Sequence, residues 1–370
     1  MLPNPRSLLL IRLSSMGDVV LSTPLVRQLR TRFPQSRIDM LVDERFVEIV
    51  QYNPRLDNVF SYKRTASRAE RTAQHHAITN SLQSQQHDTQ YDCVIDLQHN
   101  RRSAAFHRCS KTTFALNKHR LQKLALVYAK HHLHASTIPI AERYRLTAQA
   151  LDVADDGGGC ELWLPEERRL GVYPPQERTL AYTDTIRIAL APGAQHTTKR
   201  WLPKRFAETA LLLAERLKQY GTKAEFILVG GVADVEVCQQ VVSVLNALKN
   251  PNTNVPVVNA AGATSVYATV RILDTCALLL TNDTGVMHLA AARQVPVLAV
   301  FGSTVQEFGF APFRVEHRIA EVSRDVVPCR PCTHIGRSRC PKKHFRCMTE
   351  LSAHSVAEQA WELLAGKLQR

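Results

Sequence analysis

Residues 278–304 read LLLTNDTGVMHLAAARQVPVLAVFGST, and this stretch decides the fold. An apolar run ends at Asn282, a polar loop with Asp283, Thr284 and Gly285 follows, and a short apolar segment leads into a second apolar run. This order predicts a strand, a helix and a second strand parallel to the first, because parallel neighbours require a crossover connection. The stretch therefore indicates an α/β protein.

The same alternation continues outward in both directions. In the second half, two strand-like runs each precede a helical segment: RIALAPGA precedes PKRFAETALLLAERLKQYG, and EFILVGG precedes VEVCQQVVSVLNAL. In the first half, strand-like runs alternate with amphipathic segments in SLLLIRL, LSTPLVRQLRTRF, RIDMLVD and DCVIDLQ. Between the halves, residues 162–186 carry three prolines and many charges, which is typical of a linker. We predict two doubly wound, Rossmann-like domains, residues 1–165 and 187–350, joined by a linker at 166–186. Ligands of such sheets bind outside the carboxyl ends of the strands, so the two domains are expected to face each other across a cleft.

Composition excludes a membrane-spanning protein and favours a reducing compartment. In the 370-residue chain, Arg12 interrupts the N-terminal apolar run, and no uncharged apolar run approaches 18 residues. There are nine cysteines, and five of them lie scattered, mostly in apolar segments, as free thiols do in a cytoplasmic protein.

The charge is strongly positive and unevenly distributed. The formal net charge is +14, and residues 97–141 contain no Asp or Glu. The cations of this basic window are Arg101, Arg102, Arg108, Lys111, Lys118, Arg120, Lys123 and Lys130. The window predicts attraction to nucleic acid, to anionic lipid or to a phosphorylated substrate, and a generally basic surface is the simpler alternative.

The loop after the first predicted strand, LSSMGDVV, places a carboxylate at a helix start. Gly17 permits a tight turn, and Asp18 is expected to project from the top of the sheet. Two roles are open for Asp18: a helix N-cap, or a general base facing the cleft.

Two loops of the second half favour a phosphate group. The loop of APGAQHTTKRW offers Thr197, Thr198, Lys199 and Arg200 at a strand end, although a surface loop with stray charge is the alternative. In the opening stretch, we predict that Asp283 caps a helix whose first N-H groups, at Thr284 and Gly285, face an anion. His288 is expected to share the face of Thr284. Neither G-x-G-x-x-G after the first strand nor G-x-x-x-x-G-K-[ST] occurs.

RLSSMGDVVLSTPLVRQLR, APGAQHTTKRWLPKRFAETA and LLTNDTGVMHLAAARQVPVLAVFGST occur in this order. Together they resemble the ADP-heptose:lipopolysaccharide heptosyltransferases of glycosyltransferase family 9. The resemblance extends over nearly the whole chain, including DCVIDLQHNRRSA and CRPCTHIGRSRC. It implies a GT-B architecture with an N-terminal acceptor domain and a C-terminal nucleotide-sugar domain. It also implies an inverting, metal-independent transfer of heptose from ADP-heptose to the inner core of lipopolysaccharide, and a terminal helix (residues 351–370) that packs back toward the first domain.

The resemblance also assigns roles to residues. Asp18 matches the catalytic base, and Lys199 the cation beside the donor phosphates. The other donor contacts are Thr197, Thr198, Asp283, Thr284, Gly285 and His288. Because Asp283 would repel a diphosphate that it faced, we expect it either to cap the helix or to fix Lys199. On the acceptor side we expect Ser15, Met16, Gly17, Arg101, Arg102 and Arg120. The arginines suit the carboxylates and phosphates of an acceptor in an anionic leaflet, so we predict that the N-terminal domain faces the inner membrane as a peripheral protein does. We also predict that the protein is cytoplasmic and a monomer.

Four cysteines cluster late in the chain, at Cys329, Cys332, Cys340 and Cys347, with His344 among them. The set could hold zinc or a metal cluster, but its spacing is not that of a standard finger. We predict reduced thiols that pack a loop and no catalytic metal, with a metal site as the alternative. Rival functions are a family 9 transferase with another donor sugar or acceptor, a GT-B-like epimerase, and a nucleic-acid-binding protein. The last lacks an aromatic-rich basic module.

Overall fold

The computed structural model of the protein describes residues 4–130, 137–173, 184–248 and 255–368, apart from residues 66, 68, 71, 75, 79 and 81–89. The strands are β1 (Ser7–Ile11), β2 (Arg37–Asp43), β3 (Asn58–Tyr62), β4 (Tyr91–Asp96), β5 (Ser110–Ala115), β6 (Thr185–Ala191), β7 (Lys223–Leu228), β8 (Val257–Asn259), β9 (Leu278–Asn282), β10 (Val297–Phe301) and β11 (His317–Glu321). The helices are α1 (Met16–Val20), α2 (Thr23–Arg32), α3 (Arg101–Ala104), α4 (Arg120–Leu124), α5 (Ile140–Thr147), α6 (Pro165–Leu170), α7 (Pro203–Gln219), α8 (Val235–Leu248), α9 (Val266–Asp274), α10 (Gly285–Ala292), α11 (Arg346–Thr349) and α12 (Ala353–Leu368).

The first sheet is parallel and has the order β3-β2-β1-β4-β5. All five residues of β1 are buried, because helices cover both faces of a parallel sheet and its central strands read as continuous apolar runs. Since the chain order reverses between β1 and β4, the loops that follow these two strands flank the topological switch point.

The second sheet repeats this design with six parallel strands in the order β11-β10-β9-β6-β7-β8. Its switch point lies between β6 and β9, where the loops predicted to hold a phosphate begin. Helix α7 starts with Pro203 at its first position and buries Phe206, Ala210, Leu213 and Leu217 at helical spacing. The predicted α/β class with two doubly wound, Rossmann-like sheets is confirmed.

The chain forms two compact units that differ from the predicted boundaries. One unit contains Met1–His119 and Ile138–Pro174, and the other contains Arg120–Thr137 and Pro175–Arg370. A single boundary near residue 165 had been predicted, but α4 and the residues after it belong to the second unit. The reason is packing, since Leu126 lies in a cluster of side chains supplied by the second unit.

The predicted linker and the predicted terminal helix are each described in part. The linker predicted at 166–186 begins as the helix α6, and its residues 174–183 lie outside the described residues. Helix α12 buries Val356, Ala360 and Leu364 in the core of the second unit. Its expected packing back toward the first domain stays a prediction. Across the described part of the chain, no helix combines the length and apolarity that crossing a membrane requires.

Candidate active site

The loops after β6, β9 and β10 are tied together at the switch point of the second sheet. Asn282, fully buried at the end of β9, donates from Nδ2 to the carbonyl oxygen of Pro192 over 2.7 Å. Its Oδ1 accepts from the backbone N-H of Trp201 at 3.0 Å. One amide thus fixes both ends of the loop that carries Lys199 against the loop that starts α10.

Helix α10 opens toward solvent at its N-terminus. Thr284 is the N-cap, and its Oγ1 accepts from the backbone N-H of Val286 at 3.2 Å. Thr284, Gly285 and Val286 are partly exposed, whereas the helix is buried from Met287 onward. The prediction that Asp283 caps this helix was wrong, because Thr284 holds the extended backbone conformation of a cap. The partly exposed first turn carries the positive end of the helix dipole.

Asp283 instead holds Lys199. The Lys199 Nζ lies 2.6 Å from Asp283 Oδ2, and both side chains are mostly buried. Thr304, from the loop after β10, donates its hydroxyl to the same carboxylate oxygen at 2.7 Å. Fixing Lys199 was the other role open to Asp283, and the geometry provides it.

The remaining predicted donor residues differ in exposure. Thr197 is exposed at the start of a 3₁₀ turn, and His288 is buried within α10. The Thr198 hydroxyl is buried and fully engaged, because it donates to the Arg337 carbonyl oxygen and accepts from the Arg337 N-H and from Ser303 Oγ. Thr198 therefore joins the loop that carries Lys199 to residues 329–347, which hold the four late cysteines and are called the cysteine segment. Direct contact of Thr198 with a donor stays a prediction.

In the first unit, Asp18 lies at the switch point after β1. Helix α1 begins after Ser15, which is the N-cap, so Asp18 is the third helical residue and not the cap. Its Oδ2 accepts from the Ser15 N-H at 3.0 Å and from Ser15 Oγ at 2.8 Å. Its Oδ1 lies 2.6 Å from an Arg12 guanidinium nitrogen and accepts from the Tyr144 hydroxyl at 3.1 Å.

This environment sets the charge of the carboxylate. Burial by itself raises the pKa of Asp18, but the charge of Arg12 and the hydrogen bonds from Ser15 outweigh burial and lower the pKa below its ordinary 3.8. Burial and the neighbouring carboxylate raise the pKa of Tyr144 well above 10. At neutral pH the group is therefore an ionised Asp18 held between a cation and a neutral phenol.

The expected acceptor residues are divided between the units. Ser15 is exposed, Met16 partly exposed and Gly17 buried. Arg101 and Arg102 are exposed at the start of α3 in the first unit. Arg120, also exposed, belongs to the second unit, so its assignment to an N-terminal domain was wrong. The physical reason is that the residues following Arg120 are anchored by apolar contacts to the second unit.

The buried carboxylate of Asp96 organises the loop that carries Arg101 and Arg102. Its Oδ1 accepts from the N-H groups of Gln98 and His99, and its Oδ2 accepts from Ser103 Oγ at 2.7 Å. Nε2 of His107 lies 2.8 Å from the same oxygen. The loop after β4 therefore keeps one conformation while its arginines remain exposed.

All nine cysteines, including the four late ones, are free thiols. Burial raises the pKa of Cys347 to about 12, and burial also raises the pKa of Cys332. Over the described residues, no three or more His, Cys, Asp or Glu side chains are arranged around one potential metal position. Packing of a loop by reduced thiols stays a prediction.

Several residues of the site were not predicted from the sequence. Arg12 had a signal, because a single cation in the run LLLIRL follows a buried strand. Tyr144, Asn282 and Thr304 had none. Arg330 had none either: its side chain is buried and donates to the carbonyl oxygens of the loop after β10.

The comparisons with known proteins agree with this architecture. The model of glycosyltransferase family 9 (heptosyltransferase) matches residues 79–341. Lipopolysaccharide heptosyltransferase 1 of Pseudomonas aeruginosa is 28% identical over 96% of this chain and 97% of its own length. Lipooligosaccharide heptosyltransferase 2 of Campylobacter jejuni is 31% identical over 48% of this chain, and the match spans only about half, 50%, of that relative's length.

A solved structure shares the whole fold. The E. coli ADP-heptose LPS heptosyltransferase II superposes with a TM-score of 0.68 at 21% identity, over 98% of this chain and 99% of that chain. This likeness confirms the predicted GT-B architecture. Because the family model covers most of the sequence, the chain belongs to glycosyltransferase family 9, the heptosyltransferases.

Proposed function

We propose that this protein transfers a heptose from ADP-heptose to the inner core of lipopolysaccharide, with inversion at the anomeric carbon and Asp18 as general base. The observation that carries the proposal is the Lys199–Asp283 pair beside the partly exposed start of α10, in a chain of family 9. The relatives are named as heptosyltransferases, and the E. coli neighbour is named for ADP-heptose.

The donor diphosphate is placed at the start of α10. There the N-H groups of the first turn and the partial positive charge of the helix meet an anion, and Gly285 lets a phosphate approach closely. Lys199 supplies a full positive charge, kept in position by Asp283 and Thr304. As the bond to the leaving ADP breaks, negative charge grows on the diphosphate, and these donors stabilise it.

Asp18 takes the proton from the attacking acceptor hydroxyl. Four donor contacts already surround its carboxylate, so the hydroxyl replaces one of them, and Ser15 Oγ on the exposed side of the loop is the one we assign. A carboxylate with a lowered pKa is a weak base for a free alcohol. It is adequate here because the hydroxyl becomes strongly acidic as its oxygen bonds to the oxocarbenium-like carbon.

The remaining parts of the proposal concern partners and location. We place the protein in the cytoplasm, as a monomer peripheral to the inner membrane, where it meets a membrane-embedded acceptor. Arg101, Arg102 and Arg120 are assigned to the acidic groups of that acceptor because all three are exposed cations. The transfer is proposed to need no metal, since Lys199 and the helix start supply the positive charge.

The experiment incubates purified protein with ADP-heptose, ADP-glucose or UDP-glucose, and with lipid-linked Kdo acceptors with and without a first heptose. We expect a heptosylated product only from ADP-heptose, identified by mass spectrometry with inverted anomeric configuration by NMR. A product from another donor or acceptor supports the rival family 9 function. Donor isomerisation without an acceptor supports an epimerase, and no turnover of any donor contradicts the proposal.

Asp18→Asn separates the base from the scaffold. We expect it to lower kcat by at least about 10²-fold while ADP affinity is unchanged, because ADP binds in the second unit. The matched control is Asp57→Asn, which removes a partly exposed carboxylate of the same unit. Near-normal kcat for Asp18→Asn would rule out this residue as the base without affecting the donor site.

A further inference from the structure

The stretch from Arg120 to Ala129 exposes a row of large apolar side chains. Helix α4 covers its first half, and a π-helical turn, Ala125–Ala129, continues it. Leu121, Leu124 and Tyr128 expose 77%, 49% and 72% of their surface. Their spacing of three and four residues indicates a common face. Single exposed apolar residues are ordinary, but a contiguous row of this kind marks an interaction surface.

The opposite side of the stretch is anchored to the second unit. Leu126 and Val127 are buried against Val305 and Phe308. Just beyond the turn, the Lys130 Nζ donates to the carbonyl oxygen of Val127 and to those of two residues in the cysteine segment, Cys329 and Pro331. The stretch is therefore held in place by its inner side while its outer side remains exposed.

The cysteine segment lies beside this stretch. Its Ile335 exposes 56% of its surface. The ring of the preceding residue, His334, contacts the Phe308 ring edge-on at 6.4 Å between centroids, so the tip of the segment lies over the same apolar cluster. We call Arg120, Leu121, Lys123, Leu124, Tyr128 and Ile335 the docking face.

Two acid-free windows meet at the docking face. Within the second unit, neither residues 120–130 nor residues 326–349 contain an Asp or Glu. The second window adds five exposed cations, Arg337, Arg339, Lys342, Lys343 and Arg346, besides the buried Arg330. The hydrogen bonds from Lys130 to the cysteine segment join the two windows in space. The face therefore combines an apolar row with a positive field.

We propose that the docking face binds the surface of an anionic lipid bilayer, with Leu121, Leu124 and Tyr128 inserted among the lipids and the cations beside the headgroups. An apolar row flanked by Lys and Arg is the pattern of an element that lies in a membrane interface. Nucleic acid would match the cations but leave the leucines exposed, and a second copy would bring two positive faces together.

This inference deepens the proposed function. It rests on that function in one respect, which is that a membrane-embedded acceptor gives the protein a reason to bind lipid. It also changes the location of the contact. The sequence-based prediction placed the membrane-facing surface on the N-terminal domain, whereas the docking face belongs to the unit that carries Lys199 and Asp283.

The test measures co-sedimentation of the full-length protein with vesicles of phosphatidylcholine alone or mixed with phosphatidylglycerol. We expect binding only to the anionic vesicles, weakening as salt rises. The double variant Leu121→Gln/Tyr128→Gln should bind at least about tenfold more weakly. The matched control Leu170→Gln/Val172→Gln replaces side chains that are 68% and 62% exposed in the first unit, and it should bind like the parent.

A depth measurement tests insertion directly. The variant Tyr128→Trp places a fluorescent side chain at residue 128. The three native tryptophans, Trp163, Trp201 and Trp361, are buried. Quenching of the fluorescence by brominated lipid therefore reports on residue 128. We expect quenching only with anionic vesicles. Circular dichroism and ADP affinity verify that each variant is folded.

Three results would overturn the proposal: no binding of the parent to anionic vesicles, equal binding of parent and double variant, or no quenching at residue 128. If the double variant converts a dimeric parent to a monomer and binds vesicles normally, the face mediates self-association and the proposal is wrong. The vesicles contain neither donor nor acceptor, so these results do not depend on heptosyl transfer, which is assayed separately with ADP-heptose and the lipid-linked Kdo acceptors.

Discussion

Arg12 in the first unit and Lys199 in the second unit are the cations paired with the proposed base, Asp18, and with Asp283 of the proposed donor site. Arg12 holds Asp18 in its ionised form, and Lys199 lies beside the start of α10 under the control of Asp283. Both cations are largely buried next to a carboxylate, so each pair keeps its geometry in the absence of a substrate. Their proposed effects are separable, because we assign Arg12 to acid-base behaviour and Lys199 to anion binding.

Lys199→Met is expected to weaken ADP binding by about 10- to 100-fold, because it removes the charge nearest the helix start and leaves Asp283 without its cation. Isothermal titration calorimetry measures this affinity. Lys204→Met is the matched control, since Lys204 is exposed on α7 five residues away. Equal ADP affinities of the two variants would contradict a role of Lys199 in donor binding.

Arg12→Gln is expected to move the acid limb of kcat/KM to higher pH. The active form of Asp18 is ionised, and its lowered pKa keeps it ionised below pH 3.8 in the parent. Without the Arg12 charge, burial dominates and raises the pKa of Asp18, so activity is lost at a higher pH as the solution is acidified. Tyr144→Phe removes only one hydrogen bond and should shift the limb less. A pH profile from 4 to 8 that coincides with the parent's would contradict this role.

At the scale of elements, the cysteine segment supports the loop after β10 and, through it, the loop that carries Lys199. Arg330 donates to the carbonyl oxygens of Phe301, Gly302 and Thr304, and the Cys332 N-H donates to Ser303. Ser303 in turn reaches Thr198, and Thr304 reaches Asp283. The loop after β10 thus links the cysteine segment to Lys199 through these hydrogen bonds.

Arg330→Met should therefore lower the free energy of unfolding by at least about 2 kcal/mol, because buried carbonyl groups lose their donor and Glu321 loses its partner. Urea unfolding measures the change. Arg339→Met, at an exposed position of the same segment, is the control and should be neutral. A small effect of Arg330→Met would mean that the segment is held by something else, such as a bound metal.

At the scale of the whole molecule, acid should unfold the first unit before the second. Asp18, Asp43, Asp92 and Asp156 have a pKa lowered below 3.8, and all four lie in the first unit. A lowered pKa contributes stability above the unfolded value, and that stability is lost as pH falls through the folded value. Tryptophan fluorescence during acid titration measures unfolding.

The position of the tryptophans makes this prediction testable by unit. Trp163 lies in the first unit, and Trp201 and Trp361 lie in the second. The parent should show an early fluorescence change that is missing from Trp163→Phe, in which only the second unit reports. Identical titration curves for the two proteins would show that the units unfold together.

The sequence alone determined the α/β class, both doubly wound sheets and the loops at their switch points, because buried parallel strands need long apolar runs and helix starts need capping residues with Gly. It missed short edge strands such as β5 and β11, whose residues are only partly buried and show weak periodicity.

Only the tertiary structure decided which side chains act together. Tyr144 is 126 residues from Asp18, and Thr304 is 21 from Asp283, so no local pattern links them. It also decided that Thr284, and not Asp283, caps α10, and that Arg120 belongs to the second unit. Local patterns follow from periodicity and backbone preference, whereas ion pairs and unit boundaries depend on packing between distant segments.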